Sequence, residues 1–145
     1  MQEKDGVFTS SGSAGKAVLG DTYGRSYITA DIELPASADY AGITLTENGT
    51  TYHVRVRRSG SGLSLSIDSG AVGCSIALED ASQTSFRLTV VADGPFIEAY
   101  LNDEYSLSSH TTLTGNYTLG ISGGTGAKIA SASVFKLADY NNIFD

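Results

Sequence analysis

The sequence predicts an all-β domain in which two antiparallel sheets pack face to face as a sandwich. Nearly every segment with periodic hydrophobicity repeats every two residues, which is the spacing of a strand with one buried and one displayed face. The separators are short and made with glycine, since the 145 residues include 17 glycines and only 2 prolines. Many short strands at this spacing are typical of a sandwich or barrel. A short helix at 79–84 or at 138–144 is the only helical alternative that the pattern leaves.

The strands are predicted in order along the chain, each bounded by turn residues. They cover 6–9, 16–19, 26–34, 41–47, 51–58, 62–68, 71–79, 85–92, 96–102, 104–108, 117–122 and 128–137. The chain has 145 residues, of which 41% are hydrophobic, and this length and composition are sufficient to bury a core. One domain is therefore expected over residues 1–145, with 1–5 and 139–145 as loose ends.

Residues 86–103 give the clearest strand–turn–strand pattern. Asp93-Gly94 supplies the reversal at low steric cost, because glycine tolerates positive φ. The displayed face of the second strand carries the carboxylate, phenol and amide of Glu98, Tyr100 and Asn102. Such a row can hold a polar ligand by hydrogen bonds. The residues expected to face inward are Phe86, Leu88, Val90, Ile97, Ala99 and Leu101.

A second polar face is predicted on the segment 41–68. Asn48-Gly49 is the strongest short signal for a hairpin. The strand that follows displays His53, Arg55 and Arg57, so two guanidinium groups face the same way. Because a guanidinium carries donors in a fixed fork, these arginines can make paired hydrogen bonds to neighbouring oxygens of a ligand.

Carboxylates on strands raise the alternative of catalysis. Asp31 and Glu33 share a face and lie about 6–7 Å apart by strand rise, within the range used for glycoside hydrolysis. With Glu98 they are the candidate catalytic acids of a small glycosidase or lyase. Outward acids on strands are more often solvating groups, so the expected function is not catalytic.

The sequence carries no motif that calls for a cofactor. Neither His53 nor His110 belongs to a recognisable catalytic or metal-binding motif, and no phosphate-binding loop occurs. A structural calcium ion held partly by backbone carbonyls stays open. The single cysteine, Cys74, shares its face of the strand with Val72 and Ile76, which alternate with Gly73 and Ser75, and is expected to point into the core.

Charge and hydropathy exclude some partners. The formal net charge is -7, whereas nucleic acids and anionic membrane surfaces attract basic proteins. No apolar run approaches the roughly 18 residues that a membrane helix needs. The polar start, Met-Gln-Glu-Lys-Asp, does not have the pattern of a signal peptide. We expect a leader or a longer parent chain to have been removed, and the protein to be secreted or on the cell surface.

Several of these segments together resemble a known group of proteins. Ile32-Glu33-Leu34 followed by 41–45 is similar to the strand pair that opens many concanavalin A-like (laminin G, jelly-roll) sandwiches. The hairpin 86–103 resembles the one shared by levan-type carbohydrate-binding modules and the C-terminal sandwich of fructan hydrolases and invertases. The segments 117–122 and 132–137 resemble the next strand and the closing strand. The chain departs from the levan-binding pattern, which often has Phe-Arg, at Leu45-Thr46.

The resemblance implies a jelly-roll sandwich that binds carbohydrate without catalysis. Such a module would target a parent secreted glycoside hydrolase to a polysaccharide and recognise a glycan chain end. The implied partners are a polysaccharide or oligosaccharide and the parent catalytic domain. The candidate ligand-binding residues are Arg55, Arg57, Glu98, Tyr100, Asn102, His53 and Asp31. An accessory sandwich that packs on a catalytic domain without binding sugar is the alternative, and its mark would be a large apolar patch on one outer face.

Overall fold

The computed structural model describes residues 2–10, 15–23, 25–70 and 73–136. Strands make up most of this part of the chain, and it contains no helix. In chain order the strands are β1 (Gln2–Lys4), β2 (Val7–Thr9), β3 (Gly15–Tyr23), β4 (Ser26–Glu33), β5 (Tyr40–Glu47), β6 (Thr50–Ser59), β7 (Gly62–Asp68), β8 (Gly73–Ala77), β9 (Ser85–Asp93), β10 (Phe96–Leu101), β11 (Tyr105–His110), β12 (Tyr117–Gly123) and β13 (Lys128–Lys136).

The described strands form two sheets. The seven-stranded sheet has the order β1-β2-β13-β4-β9-β10-β11, and the six-stranded sheet has the order β3-β12-β5-β6-β7-β8. Every pairing is antiparallel. The predicted two-sheet antiparallel sandwich is therefore confirmed. The extent of the single domain, 1–145, stays a prediction because both chain ends lie outside the described residues.

The core lies between the two sheets and follows the period-two pattern of the sequence. In β9 and β10 the inward residues are buried and their neighbours are more exposed. Burying one such Leu or Ile side chain stabilises the fold by about 1.5–3 kcal/mol. The largest side chains that are fully buried are Tyr117, Ile28, Leu34, Ile43, Leu45, Leu65, Ile67, Leu88, Ile97, Leu101, Leu119 and Ile121.

Two-residue turns connect the predicted hairpins. Asn48 and Gly49 have φ values of 51° and 79° between β5 and β6, as a type I′ turn requires. Gly94 has φ 56° between β9 and β10, where Asp93 and Phe96 are Cα partners. Both predicted reversals are confirmed, and each depends on a residue that accepts positive φ.

The N-terminal strand was not predicted. β1 lies within the segment expected to be loose, yet it pairs with β2 across a turn in which Asp5 and Gly6 have φ 53° and 79°. Its three residues are all exposed, so the sequence has no hydrophobic alternation there from which a strand could be predicted. The Asp-Gly pair was the signal that could have found it.

The segment 79–84 forms a turn and not a helix. The Asp80 carboxylate accepts hydrogen bonds from the backbone N–H and the hydroxyl of Ser82, at 3.0 and 2.5 Å. This side chain takes the place of a helical backbone partner. The other proposed helix, 138–144, lies outside the described residues.

Cys74 packs against the core from β8, as its alternation predicted. It is half-buried, and its thiol is directed at the carbonyl oxygen of Ser108, 3.7 Å away. Within the described residues, no helix has the length and hydrophobicity to span a bilayer.

Candidate functional site

The predicted site residues divide between the two outer faces of the sandwich. His53, Arg55 and Arg57 lie on β6 in the six-stranded sheet. Asp31 is on β4, Glu98 and Tyr100 are on β10, and Asn102 follows β10, all on the seven-stranded sheet. Stacked sheets are about 10 Å apart, and these side chains point away from the layer between them. The structure therefore does not bring the arginines together with Glu98, Tyr100 or Asp31.

Asp68 organises the outer face of the six-stranded sheet. Its Oδ1 accepts hydrogen bonds from Arg55 Nη2 at 3.0 Å and from the Gly70 N–H at 3.1 Å. Its Oδ2 accepts one from the Ser66 hydroxyl at 3.2 Å and lies 3.9 Å from Arg57 Nη1. The side chains of Arg55 and Asp68 are only 14% and 8% exposed. A desolvated and multiply bonded pair of this kind holds both groups in a defined geometry.

Tyr40 and Gly42 complete this site from β5. The guanidinium carbon of Arg55 lies 5.0 Å from the centre of the Tyr40 ring, at the distance of a cation–π contact. Gly42 is the Cα partner of Arg55, and a Cβ added to Gly42 would lie 2.6 Å from Arg55 Cβ. Only glycine at this position allows the two strands and the arginine to keep their arrangement. We call the set Tyr40, Arg55, Arg57, Ser66 and Asp68 the Asp68 cluster.

Short polar residues on this outer face are buried although they point away from the core. Thr44, Ser66 and Ser122 are all in this class. Because they are short, their burial means that longer neighbouring side chains cover them. Ser122 lies in the same cross-strand row as Arg55, with Gly42 between them, so their Cα atoms are about 10 Å apart.

Two polar atoms in this row are left without partners. Ser122 Oγ and Arg55 Nε are buried, and neither has a hydrogen-bond partner among the described residues. An unsatisfied buried donor or acceptor costs about 1–3 kcal/mol, so native proteins rarely keep one without a reason. Because both atoms are shielded from solvent, a ligand oxygen can bond them only when the side chains that cover them move aside.

Sequence reasoning found the arginines but missed Asp68, Tyr40 and Ser122. The period of two in the segment 62–68 placed Asp68 outward, and Tyr40 has the same phase as Gly42. The register of β5, β6 and β7 is what places both next to Arg55. That register depends on pairing between strands and is not readable from one strand alone.

The outer face of the seven-stranded sheet has more exposed polar groups. Arg87 donates from Nε and Nη2 to the two carboxylate oxygens of Asp31, at 2.9 and 3.1 Å. The two side chains are 59% and 42% exposed, so solvent screens the pair. They line a depression of about 600 Å³ with Glu33, Asn102 and Lys128.

Glu98 and Tyr100 interact with each other on β10. The Tyr100 hydroxyl donates to Glu98 Oε2 at 2.6 Å. This hydrogen bond, the negative charge of Glu98 and partial burial together raise the pKa of the Tyr100 phenol above its ordinary value. Both groups are exposed and lie beside Ser106 and Ser108 in a small polar notch.

Asn102 forms hydrogen bonds with the backbone of Arg87. Its side-chain oxygen accepts the Arg87 N–H at 2.8 Å, and its own N–H donates to the Arg87 carbonyl at 2.9 Å. Its φ of 54° places it in the left-handed region, which asparagine tolerates better than most residues. The amide that the sequence suggested as a ligand contact therefore closes the end of the β9–β10 hairpin.

The seven-stranded sheet also displays aromatic side chains on its outer face. Tyr27 and Phe135 are exposed neighbours with ring centres 6.2 Å apart. Phe96, also exposed, contacts His110 edge-on at 5.0 Å. Val91 lies next to Tyr27 as its Cα partner. This face therefore exposes aromatic side chains at two places, Tyr27 with Phe135 and Phe96 with His110.

A metal site does not emerge from the acidic residues. Within the parts of the chain that the structure describes, no group of three or more His, Cys, Asp or Glu side chains is placed to hold a metal ion. The structural calcium ion left open by the sequence gains no support from these side chains.

The strand order defines the fold as a two-sheet antiparallel β-sandwich of the jelly-roll type. Among solved structures it is similar to the carbohydrate-binding module CBM66 from Bacillus subtilis, with a TM-score of 0.69 and 11% identity over 88% of this chain and 84% of that chain. The predicted resemblance to levan-type modules and to the sandwich of fructan-processing enzymes is confirmed at the level of the fold.

Two further structures show the same fold. Caenorhabditis elegans galectin LEC-6 matches with a TM-score of 0.63 and 13% identity over 93% of this chain and 99% of that chain. A wild-type fructosyltransferase from A. japonicus matches with a TM-score of 0.67 and 18% identity over 94% of this chain, but over only 26% of the enzyme. No protein-family model and no curated protein sequence matches the chain.

Proposed function

We propose that this protein is a non-catalytic carbohydrate-binding module and that its ligand site is the Asp68 cluster. The observation that carries the proposal is a nearly buried Arg55–Asp68 pair on an outer face, next to an aromatic ring and two orphaned polar atoms. The pair lies on the face of the sheet that points away from the core. The shared fold with a carbohydrate-binding module and a galectin supports the same function.

The cluster has the chemistry that sugar recognition needs. Sugar hydroxyls are both donors and acceptors of hydrogen bonds. The site offers guanidinium donors, a carboxylate and the Ser122 hydroxyl on neighbouring strands of one sheet. The Tyr40 ring offers an apolar surface for the C–H groups of a sugar. Because Ser66 and Gly70 hold Asp68 in place, little conformational entropy is lost on binding.

The biological role that fits such a site is targeting. A module of this kind raises the local concentration of an attached catalytic domain on its polysaccharide. We therefore propose a secreted or cell-surface parent that carries a glycoside hydrolase domain. The match to about a quarter of a fructosyltransferase chain supports this arrangement, since there the sandwich is one part of a larger enzyme.

Affinity electrophoresis on gels that contain plant and microbial polysaccharides tests the proposal. The wild-type protein is expected to be retarded on at least one polysaccharide. Ser122→Ala is expected to weaken the retardation without loss of stability, because the hydroxyl has no partner among the described residues. Asp31→Asn on the opposite face is the matched control and is expected to bind as the wild type does. Loss of retardation in Asp31→Asn, with Ser122→Ala unchanged, would place the ligand on the other sheet.

The aromatic patch on the seven-stranded sheet favours a second candidate, an accessory sandwich that packs on a catalytic domain without binding sugar. The patch is centred on Tyr27 and Phe135. This candidate is supported if no polysaccharide retards the folded protein and if the dye ANS binds the wild type but not a Tyr27→Ser/Phe135→Ser variant. Retardation that Ser122→Ala abolishes supports the first candidate.

Catalysis is checked on the same polysaccharides. Release of reducing sugar is not expected from the wild-type protein. Turnover that Glu98→Ala abolishes would instead support a glycosidase. We take Glu98 for this test because its carboxylate is exposed and is not held in an ion pair among the described residues, in contrast to Asp31.

A further inference from the structure

Among the described side chains on the outer face of the six-stranded sheet, positive charge exceeds negative charge, although the protein as a whole is acidic. The chain has 9 Lys and Arg against 16 Asp and Glu, a formal charge of -7. Among the described side chains that point outward on this sheet, the groups that are ionised at neutral pH are Arg55, Arg57 and Asp68. One guanidinium charge is therefore not offset on this face.

Arg57 carries this unused charge. Its side chain is 51% exposed and approaches Asp68 only to 3.9 Å, which is too long for a hydrogen bond. Its Cα partners on the neighbouring strands are Tyr40 and Ser64, which are uncharged. No hydrogen bond joins the Arg57 guanidinium to another described residue, so its donors are available to a ligand.

The acceptors of the Asp68 cluster are largely occupied. Asp68 Oδ1 receives Arg55 and the Gly70 N–H, and Oδ2 receives the Ser66 hydroxyl. The donors are in surplus, because the Arg57 guanidinium approaches Asp68 only to 3.9 Å without a hydrogen bond and Arg55 Nε has no hydrogen-bond partner among the described residues. A surplus of donors and of positive charge complements a ligand that brings acceptors and negative charge.

We infer that the Asp68 cluster takes acidic glycans and that the Arg57 guanidinium binds the carboxylate of a uronic acid residue. The planar guanidinium fork matches the two oxygens of a carboxylate. The sugar ring then lies beside Tyr40, the Cα partner of Arg57, and its hydroxyls reach the buried Ser122 Oγ and Arg55 Nε only when the covering side chains move aside. This inference rests on the proposed carbohydrate-binding function of the same face and adds the class of ligand.

Binding to polygalacturonate and to the same polymer with its carboxylates reduced to alcohols tests the inference. The protein is expected to bind the acidic polymer at least about tenfold more tightly than the reduced one, since a charge-assisted contact commonly gives this factor. Its net charge repels anionic polymers, so retention cannot come from the overall charge. The affinity is expected to fall as salt is added.

Arg57→Gln and Arg87→Gln form the matched pair of variants. Both arginines are more than half exposed and lie on opposite outer faces. Arg57→Gln is expected to lose about tenfold in affinity for polygalacturonate, while Arg87→Gln is expected to bind as the wild type does. Thermal unfolding of each variant confirms that the fold is kept.

The outcomes separate this inference from the function on which it rests. One result is equal binding of the acidic and the reduced polymer, with Arg57→Gln unaffected and Ser122→Ala impaired. This result overturns the inference that the ligand is acidic, but it leaves carbohydrate binding at this face in place. Tighter binding of dextran sulfate than of polygalacturonate also overturns the carboxylate assignment. Failure to bind any glycan overturns both, and equal loss in Arg87→Gln places binding outside the Asp68 cluster.

Discussion

Asp68→Ala is the substitution that most directly tests how the candidate site is held together. The change removes an acceptor that serves Arg55, Ser66 and Gly70 at 3.0, 3.2 and 3.1 Å. It leaves the Arg55 guanidinium, whose side chain is 14% exposed, without a counter-ion. The substitution therefore leaves the charge of the Arg55 guanidinium unpaired at a position that water reaches poorly.

The expected loss follows from the burial of this pair. Removing one partner of a buried ion pair costs about 3–5 kcal/mol, and here the lower end applies because both groups keep a little exposure. We expect Asp68→Ala to lower the free energy of unfolding by about 3 kcal/mol. At roughly 3 °C per kcal/mol for a chain of this size, the melting temperature should fall by about 9 °C.

Asp31→Ala is the matched control for this prediction. Asp31 pairs with Arg87 in a bidentate geometry of similar length, but both side chains are well exposed. An exposed pair contributes about 0.2–1 kcal/mol, so the two substitutions should differ by about 2 kcal/mol. Both pairs join an arginine to an aspartate, and they differ in burial and in the further hydrogen bonds that Asp68 accepts from Ser66 and Gly70.

Urea denaturation followed by far-UV circular dichroism and tyrosine fluorescence measures both variants, since the chain has 8 tyrosines and no tryptophan. A double variant with Arg55→Ala should lose less than the sum of the single losses, because no charge is then stranded. Equal losses for Asp68→Ala and Asp31→Ala, or a loss below about 1 kcal/mol for Asp68→Ala, would refute the reasoning.

Three further substitutions test the packing and the loop contacts. Gly42→Ala should destabilise the fold by more than about 2 kcal/mol in urea, because the new methyl would lie 2.6 Å from Arg55 Cβ. Gly62→Ala, where the nearest atom is 3.7 Å away, is its control and should cost less than about 1 kcal/mol; equal costs would contradict this account. Leu88→Ala, in a fully buried position, should cost about 2–5 kcal/mol, and an unchanged urea midpoint would show that Leu88 is not in the core. Burial by itself raises the pKa of Glu47, but hydrogen bonds from Thr114 and Asn116 outweigh it and hold that pKa below its ordinary value. The ionised Glu47 carboxylate therefore stabilises the fold at neutral pH, and this stabilisation is lost as the pH falls through the lowered pKa. Glu47→Gln should be less stable than the wild type at neutral pH and equally stable in strong acid. A stability difference that does not change with pH would contradict the Glu47 prediction.

The strands and their inward faces could be predicted because both are local properties of the chain. Alternation in the hairpin 86–103 identified Leu88 and Ile97 as core residues, and both are fully buried. The Asn48-Gly49 turn followed from the need for positive φ at two successive positions. Prediction failed at β1, whose polar residues carry no alternation, and at 79–84, where a side chain replaces a backbone partner.

The candidate site was only half predictable. The sequence placed His53, Arg55 and Arg57 on one displayed face, and the structure agrees. It left open whether Glu98 and Tyr100 share that face, and the structure places them on the other sheet. The partner that matters for Arg55 is Asp68, and it comes next to Arg55 through the β6–β7 register.

The sequence by itself therefore determined which segments are strands, where hairpins turn and which side chains point outward. These properties depend on neighbours a few residues away, through the period of two and the φ preferences of turn residues. The tertiary structure decided which outward residues share a sheet, and so divided the predicted site into the Asp68 cluster and the Glu98–Tyr100 face. Strand order is set by which long-range pairings bury the most apolar surface, and no single strand carries that information.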